Sequence, residues 1–257
     1  MKLGVTLSSL GSDVKEAIGN VSRTGLATID VDAAHGPITP ELSHSGRRDF
    51  LRYVGSYGLE VSALCGDFGR GFSDEGAVER LFDETEKLIG LALDLRVRII
   101  TTGIGRVPED ETGRARGRLR EVLNEVGKRA ENYDIHLASH VGESTPADLK
   151  KMLDSLNTQG IKVCYDPSVL MPRGLDVVGG VRELGGYIVH AYARDVLKGE
   201  RGYAETVPGE GIVPFRDYVL ALCEIGYTGH LVVKREAGDG GIEDAIKARE
   251  FLERIII

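Results

Sequence analysis

The chain has 257 residues, of which 42% are hydrophobic and 28% are charged. This length and composition suit one large folded domain and exclude a disordered chain. Its 40 acidic residues outnumber 32 Lys and Arg, for a formal charge of −8, which disfavours general binding to nucleic acid or to an anionic membrane surface.

Three features predict a cytoplasmic protein. The N-terminus enters an apparent strand at once, without a signal peptide. No apolar run approaches the roughly 20 residues of a membrane-spanning helix. The three cysteines, Cys65, Cys164 and Cys223, are far apart and form no metal-binding motif, so we interpret them as free thiols in a reducing compartment.

Short β-type segments alternate with amphipathic segments of helical length along the whole chain. The β pattern recurs at residues 3–7, 28–33, 60–64, 98–102, 135–141, 161–166, 188–193 and 231–236. A helical pattern follows each segment, which predicts parallel strands joined by right-handed crossovers. This repetition in a chain of this length favours a single-domain α/β fold, the (β/α)8 TIM barrel, over an open sheet.

Helix-start signals lie in two of the predicted connections. Thr39-Pro40 and Thr145-Pro146 each offer a capping hydroxyl followed by a proline, which is favoured at the first helical position. We therefore predict helix starts at these two prolines. The sixth predicted helix, residues 177–184, has the weakest pattern because two adjacent glycines interrupt it.

The carboxyl ends of the strands are where a TIM barrel builds its active site. Side chains alternate along a strand, so one face of each strand is directed into the barrel. His140 lies at the end of the fifth predicted strand, Asp166 ends the sixth, and Tyr192 and Lys234 lie near the ends of the last two. These four side chains are predicted to converge at the barrel mouth.

Several stretches carry a resemblance to a known family. They are residues 45–50 (Ser-Gly-Arg-Arg-Asp-Phe), 57–60, 166–168, 190–195, 209–211 and 232–238. Through them the whole chain resembles the xylose isomerase-like TIM barrels, the sugar phosphate isomerase/epimerase group. The resemblance implies a (β/α)8 fold and an enzyme that moves a proton beside a sugar carbonyl.

The resemblance also implies a metal site that is largely replaced here. In that family a divalent metal (Mn, Mg, Zn or Co) is held by Glu, Asp, His and Glu on the last four strands. The matching positions are His140, Asp166, Tyr192 and Lys234, so only Asp166 is kept and His140 is the other candidate ligand. The family set carries three negative charges, whereas this set sums to about zero. We predict no metal bound in the family manner and no other cofactor, with Lys234 paired to Asp166 in the place of the cation.

The mouth residues have predicted roles that follow from their chemistry. Lys234 would stabilise a substrate oxyanion or form a Schiff base, and His140 and Glu236 would act as acid or base. A structural interpretation stays open for Lys234 as an ion-pair partner of Asp166 or of Glu236, and for His140 as a packed side chain. The predicted substrate-binding residues are Asp166, Tyr192, His190, Arg194, Asp195 and Arg106.

Other polar residues near the mouth carry weaker predictions. His190 lies one step deeper than Tyr192, and a structural role is its preferred interpretation. Residues 209–211, Gly-Glu-Gly, permit a tight turn or close ligand approach. Loop cations that would bind phosphate or carboxylate are Arg106, Arg173, Lys198 and Arg201. Further site candidates in loops are Asp32 and His35 after the second strand and Glu143 after the fifth.

Two functions from different classes remain open. The first is an isomerase/epimerase-like protein that acts on or binds a small sugar, sugar acid or sugar phosphate without the family metal. The second is a catalytically inactive barrel that binds a small molecule or serves as an interaction protein. A DNA-repair endonuclease is disfavoured because its several metals need more ligands than remain. The expected partners are a carbohydrate-like ligand and, in a homo-oligomer, further copies of the chain, with no nucleic acid and no membrane.

Overall fold

A closed barrel of parallel strands forms the centre of the molecule. The computed structural model describes residues 1–200, 202–236 and 240–256. The barrel strands are β1 (Lys2–Thr6), β2 (Thr28–Asp32), β3 (Glu60–Cys65), β4 (Ile99–Thr102), β5 (His136–His140), β6 (Ile161–Tyr165), β7 (Ile188–Ala193) and β10 (His230–Val233), while β8 (Asp195–Gly199) and β9 (Gly202–Thr206) form a separate antiparallel hairpin. Around the barrel the order is β1-β10-β7-β6-β5-β4-β3-β2, and β2 pairs with β1 to close it. The predicted TIM barrel is confirmed.

Helices follow the barrel strands and cover their outer faces. They are α1 (Val14–Thr24), α2 (His44–Ser56), α3 (Val78–Leu95), α4 (Arg114–Glu131), α5 (Pro146–Asp154), α6 (Val177–Leu184), α7 (Phe215–Glu224) and α8 (Gly241–Glu253). The sixth predicted helix has the predicted bounds, because Asp176 caps its start by accepting from two backbone N–H groups. In the part of the chain that the structure describes, no helix is both long enough and apolar enough to cross a membrane.

The two helix-start predictions have different outcomes. Thr145 accepts a hydrogen bond from the Asp148 N–H and α5 begins at Pro146, as predicted. The second helix instead begins at His44, where the Ser43 hydroxyl accepts from a backbone N–H one turn later. The prediction of a start at Pro40 was wrong because a second capping residue lay a few positions downstream.

The β8–β9 hairpin was not predicted. It leaves the carboxyl end of β7 and returns to the same end of the barrel before α7 begins. Gly199 and Gly202 form the last pair between the two strands. The hairpin matters for function because it brings Glu205 to the barrel mouth.

Two apolar layers make up the core. The larger one lies between the strands and the helices, and strand residues such as Val5, Ile29 and Leu231 belong to it. A small separate layer fills the inside of the barrel and consists of Ala138, Cys164, Tyr192 and Val232. This inner layer separates the polar groups at the mouth from those deeper in the barrel.

Candidate functional site

Tyr192 forms the floor of the barrel mouth. Its side chain is only 1% exposed, and burial raises the pKa of its phenol well above the usual value. The His140 ring stacks on it with 6.4 Å between ring centroids and 21° between planes. The Lys234 ammonium lies 5.1 Å from the centroid of the same ring, a cation–π arrangement. Tyr192 is therefore a protonated aromatic platform that places His140 and Lys234 side by side.

Five charged side chains form what we call the mouth ion cluster: Arg194, Lys234, Asp166, Glu205 and Glu236. The Arg194 guanidinium contacts Glu205 through two of its nitrogens. It also lies 3.5 Å from an Asp166 oxygen and 3.3 Å from a Glu236 oxygen. A second Glu205 oxygen accepts the backbone N–H of Glu236 at 2.8 Å. Arg194 thus joins the ends of β6, β7 and β10 to the hairpin.

Lys234 pairs with Glu236, the second of its two predicted partners, and not with Asp166. Its Nζ lies 2.8 Å from Glu236 Oε1. Burial works to lower the pKa of Lys234, but the hydrogen bond and charge of Glu236 outweigh it and the pKa is raised above the usual value. The amine is therefore protonated at neutral pH, which argues against a Schiff base and for electrostatic action on a ligand.

Glu236 is the most accessible carboxylate of the cluster, with 55% of its side chain exposed. Burial works to raise its pKa, but the hydrogen bond and charge of Lys234, with help from Arg194, hold the pKa below its usual value. Glu236 is therefore ionised at neutral pH. Its carboxylate is available to a ligand from the solvent side.

Asp166 is held in place by its neighbours. One oxygen accepts from the backbone N–H and the hydroxyl of Ser168, at 2.9 and 2.6 Å. The other oxygen faces Arg194. The residue is 5% exposed, and its cationic partner is the guanidinium of Arg194, not Lys234. The arrangement fixes the start of the loop after β6.

His140 is a neutral side chain at the mouth. Burial lowers its pKa to about 4, and the positive charge of Lys234 adds to this effect. Its Nε2 lies 3.9 Å from a carboxylate oxygen of Asp67, which is too long for a hydrogen bond. With 22% of the side chain exposed, the imidazole is accessible from the cleft. Its neutral form offers one hydrogen-bond donor and one acceptor.

Asp195 has a different place from the one predicted. It is fully buried, and its two oxygens accept four backbone N–H groups, from Val196, Gly209, Gly211 and Val213, at 2.9–3.0 Å. A Cβ on Gly211 would lie 2.2 Å from its carboxylate, so the Gly-Glu-Gly stretch accommodates Asp195, not a ligand. This residue shapes the loop before α7, which corrects the predicted direct role in substrate binding.

His190 lies beneath the Tyr192 floor. Its Nε2 is 2.7 Å from Asp30 Oδ2, and the Ser62 hydroxyl donates to the other oxygen of Asp30 at 2.7 Å. All three residues are at most 5% exposed. We call them the inner pair cluster; their burial agrees with the structural interpretation of His190 and leaves no path for direct substrate contact.

The predicted loop cations that the structure describes lie on the solvent side of the molecule. Arg106 is 68% exposed and pairs with Glu109, while Arg173 and Lys198 are exposed on separate segments. Arg201 lies outside the described residues. None of the three described cations joins the mouth ion cluster, and a role in holding a phosphate stays a prediction.

Sequence reasoning missed three residues of this region. Glu205 belongs to the unpredicted hairpin, and a pair of β-type segments around Gly199 and Gly202 was the signal that could have located it. Asp67 lies just after the end of β3, a position where a TIM barrel can place a site residue. Asp30 lies inside β2, where an isolated carboxylate in an apolar strand is itself a signal of a buried partner.

The residues at the family's metal position do not suit a divalent cation. Lys234 and Arg194 bring two positive charges into the space, and Asp166 already accepts from Ser168 and faces Arg194. Across residues 1–200, 202–236 and 240–256, no group of three His, Cys, Asp or Glu is arranged to hold a metal ion. Hard divalent cations prefer several carboxylate oxygens without competing cations, so no step of the chemistry is assigned to a metal.

Comparisons with known proteins agree with this fold. Residues 18–255 match the family model described as xylose isomerase-like TIM barrel. Inosose dehydratase 2 of Bacillus cereus is 25% identical over 158 residues, which cover 53% of this chain and 53% of that protein. The match thus spans about half the length of this curated relative.

Two solved structures illustrate the structural likeness. A xylose isomerase domain protein from Planctomyces limnophilus has a TM-score of 0.83 at 19% identity, with 99% of this chain and 95% of that chain covered. The D-psicose 3-epimerase from Clostridium cellulolyticum H10, solved with D-tagatose, has a TM-score of 0.79 at 19% identity, with 100% and 99% covered. At these identities the likeness describes the fold alone.

Proposed function

Because this chain belongs to the xylose isomerase-like TIM barrel family, we propose that it acts on a small sugar, sugar acid or sugar phosphate by a proton transfer without a divalent metal. The names of an inosose dehydratase and a D-psicose 3-epimerase among similar proteins support a polyhydroxylated carbonyl ligand. The barrel mouth, with Tyr192 as its floor, is the proposed binding site.

The protonated Lys234 is the observation that carries this proposal. When a proton leaves the carbon beside a carbonyl, negative charge develops on the carbonyl oxygen. A fixed ammonium in a partly buried site stabilises that charge strongly. The Nζ of Lys234 is held by Glu236 and by the Tyr192 ring, so it is oriented before a ligand binds.

Glu236 is ionised and half-exposed, and it serves as the base that removes the proton. In an isomerisation the same group can return that proton to the neighbouring carbon, which leaves Glu236 ionised again. His140 is neutral at physiological pH and lies on β5, which β6 and β7 separate from β10. Its imidazole donates or accepts a hydrogen bond with the ligand from the other side of the cleft.

Deuterium uptake is the test, because it reports proton abstraction even when no net conversion occurs. The protein is incubated in D2O with chelator and a panel of ketoses, aldoses, sugar acids and their phosphates, and carbon-bound deuterium is measured by mass spectrometry. The expected result is uptake with at least one compound, reduced about 100-fold or more in Lys234→Met. Lys162→Met is the matched control, because Lys162 also lies over a tyrosine ring, at 5.4 Å from Tyr187, but at the amino end of the barrel.

A binding protein without catalysis is the second candidate. The contact between Lys234 and Glu236 favours it, because that contact lowers the pKa of Glu236 and makes it a weaker base. A compound that raises the melting temperature of the wild type but not of Lys234→Met, with no deuterium uptake, would select this second function. Uptake that is unchanged in Lys234→Met would contradict the proposed mechanism.

A further inference from the structure

Both cations of the mouth ion cluster are already paired with carboxylates. Arg194 contacts Glu205 through Nε and Nη2, and its Nη1 lies 3.5 Å from Asp166. Its Nη2 also lies 3.3 Å from Glu236, so all three nitrogens of the guanidinium face negative groups. The Lys234 ammonium contacts Glu236 at 2.8 Å. The three carboxylates therefore exceed the two cations by one negative charge.

Asp67 adds a further negative charge at the rim of the mouth. Its side chain is 39% exposed, and its Oδ2 lies 3.9 Å from His140 Nε2. The other oxygen accepts the backbone N–H of Gly69 at 2.8 Å. Because burial lowers the pKa of His140 to about 4, this neighbour is uncharged at neutral pH and does not offset the carboxylate. A charged group on a ligand thus enters a cleft with an excess of negative charge.

Cations in the loops around the mouth do not reverse this excess. Several of them have a carboxylate partner of their own; in the part of the chain that the structure describes, these pairs are Arg70 with Asp74, Arg106 with Glu109, and Arg235 with Asp244. Arg173 and Lys198 are exposed on separate segments, where salt screens their charge. The chain as a whole has a formal charge of −8, so its long-range field also disfavours the approach of an anion.

The proposed proton transfer needs no charge on the substrate. When Glu236 takes a proton from an uncharged ligand, its own negative charge is lost while the carbonyl oxygen beside Lys234 becomes negative. The total charge at the mouth is unchanged, and Lys234 exchanges one negative neighbour for another. A phosphate or carboxylate on the ligand instead adds a permanent negative charge, which the partly buried carboxylates of the cluster repel more strongly than they would in water.

We propose that the substrate is an uncharged sugar or cyclic polyol with a carbonyl group, and that the barrel mouth rejects the corresponding phosphates and carboxylic acids. This inference rests on the proposed function and narrows its substrate class. Hydroxyl groups fit the mixed charges of the mouth, because each one can donate to a carboxylate and accept from Lys234.

Matched pairs of carbonyl sugars test the inference. Fructose, xylulose, ribose and glucose are each compared with their terminal phosphates, and glucose is also compared with glucuronate. Binding to the full chain is measured by nuclear magnetic resonance titration at low salt, with deuterium uptake measured in the same samples. In at least one pair the uncharged compound is expected to bind about tenfold or more tightly than its charged partner. At about 0.5 M NaCl this preference is expected to shrink about threefold or more, because salt screens charge repulsion but not a steric clash.

A single charge removed at the rim tests the electrostatic origin of this preference. Asp67→Asn leaves Lys234 and Glu236 in place and is expected to reduce the preference for uncharged compounds about threefold. Asp83→Asn, the same substitution at an exposed position of α3, is the matched control and is expected to leave the preference unchanged.

The outcomes separate this inference from the proposed function. A charged compound that binds as tightly as its uncharged partner, no binding by any uncharged compound, or a preference undiminished at high salt or in Asp67→Asn would overturn the inference. Tight binding of a sugar phosphate or sugar acid, with deuterium uptake, keeps the proposed function and removes only the inference. A salt-sensitive preference for uncharged compounds without any deuterium uptake supports the inference and contradicts the proposed proton transfer.

Discussion

Two polar clusters lie along β7, one on each side of the Tyr192 ring. The inner pair cluster joins His190 to Asp30 and Ser62, and all three are nearly inaccessible to solvent. The mouth ion cluster surrounds Arg194 and leaves Glu236 55% exposed. The same strand therefore carries a closed, internally paired group and an open one. Because of this difference, a ligand can reach only the face of the Tyr192 ring that is directed towards the barrel mouth.

The largest expected effect concerns the inner pair cluster. Asp30→Ala leaves the buried His190 imidazole and Ser62 hydroxyl without their acceptor, and it is expected to lower the free energy of unfolding by about 3–5 kcal/mol. Urea denaturation measures this loss. Asp30→Asn keeps a hydrogen-bonding group of the same shape and is expected to lose less. A loss below about 1 kcal/mol for Asp30→Ala would show that this cluster does not hold the barrel together.

The mouth ion cluster is expected to respond differently. Arg194→Met leaves three carboxylates, Asp166, Glu205 and Glu236, around a space without the guanidinium. Their repulsion is expected to cost about 2 kcal/mol of unfolding free energy, and Mn²⁺ is expected to raise the melting temperature of this variant. Lys150→Met, which removes an exposed surface ion pair on α5, is the control. If Mn²⁺ stabilises neither variant, the space left by the Arg194 guanidinium cannot hold a divalent cation.

A pH effect is expected from His140. Its folded pKa of about 4 lies below the ordinary 6.5 because of burial and the charge of Lys234. Between these values the unfolded chain binds a proton that the folded chain does not, so stability falls as the pH falls from 6.5 towards 4. His140→Gln is expected to reduce this loss by up to about 2 kcal/mol, measured by urea denaturation across the pH range.

The exposed Asn132→Gln, which removes no titratable group, is the control for the pH effect. The stability of this variant is expected to change with pH as that of the wild type does. An identical pH dependence of stability in the wild type and in His140→Gln would mean that folding does not lower the pKa of His140.

Arg106 is expected to show the smallest effect. Its ion pair with Glu109 is exposed on both sides, and such pairs contribute about 0–1 kcal/mol. Arg106→Ala is therefore expected to leave stability nearly unchanged in thermal denaturation. A selective loss of sugar phosphate binding, with free sugar binding kept, would establish the predicted phosphate role of this loop.

The fold was predictable because its signal repeats. Alternation of β-type and amphipathic segments located every barrel strand, with bounds that differ by a few residues, as for the eighth strand at His230–Val233. The second helix was misplaced because local capping at Thr39 competes with capping at Ser43, and only packing decides between them. The hairpin after β7 was missed because its short strands pair with each other and do not follow the repeating unit.

The candidate site was predictable in its members but not in its pairing. Strand ends identified His140, Asp166, Tyr192 and Lys234. Of the two predicted partners of Lys234, the structure has Glu236 and not Asp166. The partner of Asp166 is Arg194, and Glu205 arrives on the hairpin that the periodicity did not indicate. The alternation of side chains along a strand predicts which residues point into the barrel. It does not predict how far a long side chain reaches across the mouth.

We propose that Arg194 and Lys234 take the electrostatic place of a divalent metal at the barrel mouth. A titration of the chelator-treated protein with Mn²⁺, followed by isothermal titration calorimetry at neutral pH, tests this proposal most directly. We expect no tight binding in the wild type and deuterium uptake that is unchanged by chelator. One tightly bound equivalent of Mn²⁺, with uptake that depends on it, would contradict the proposal.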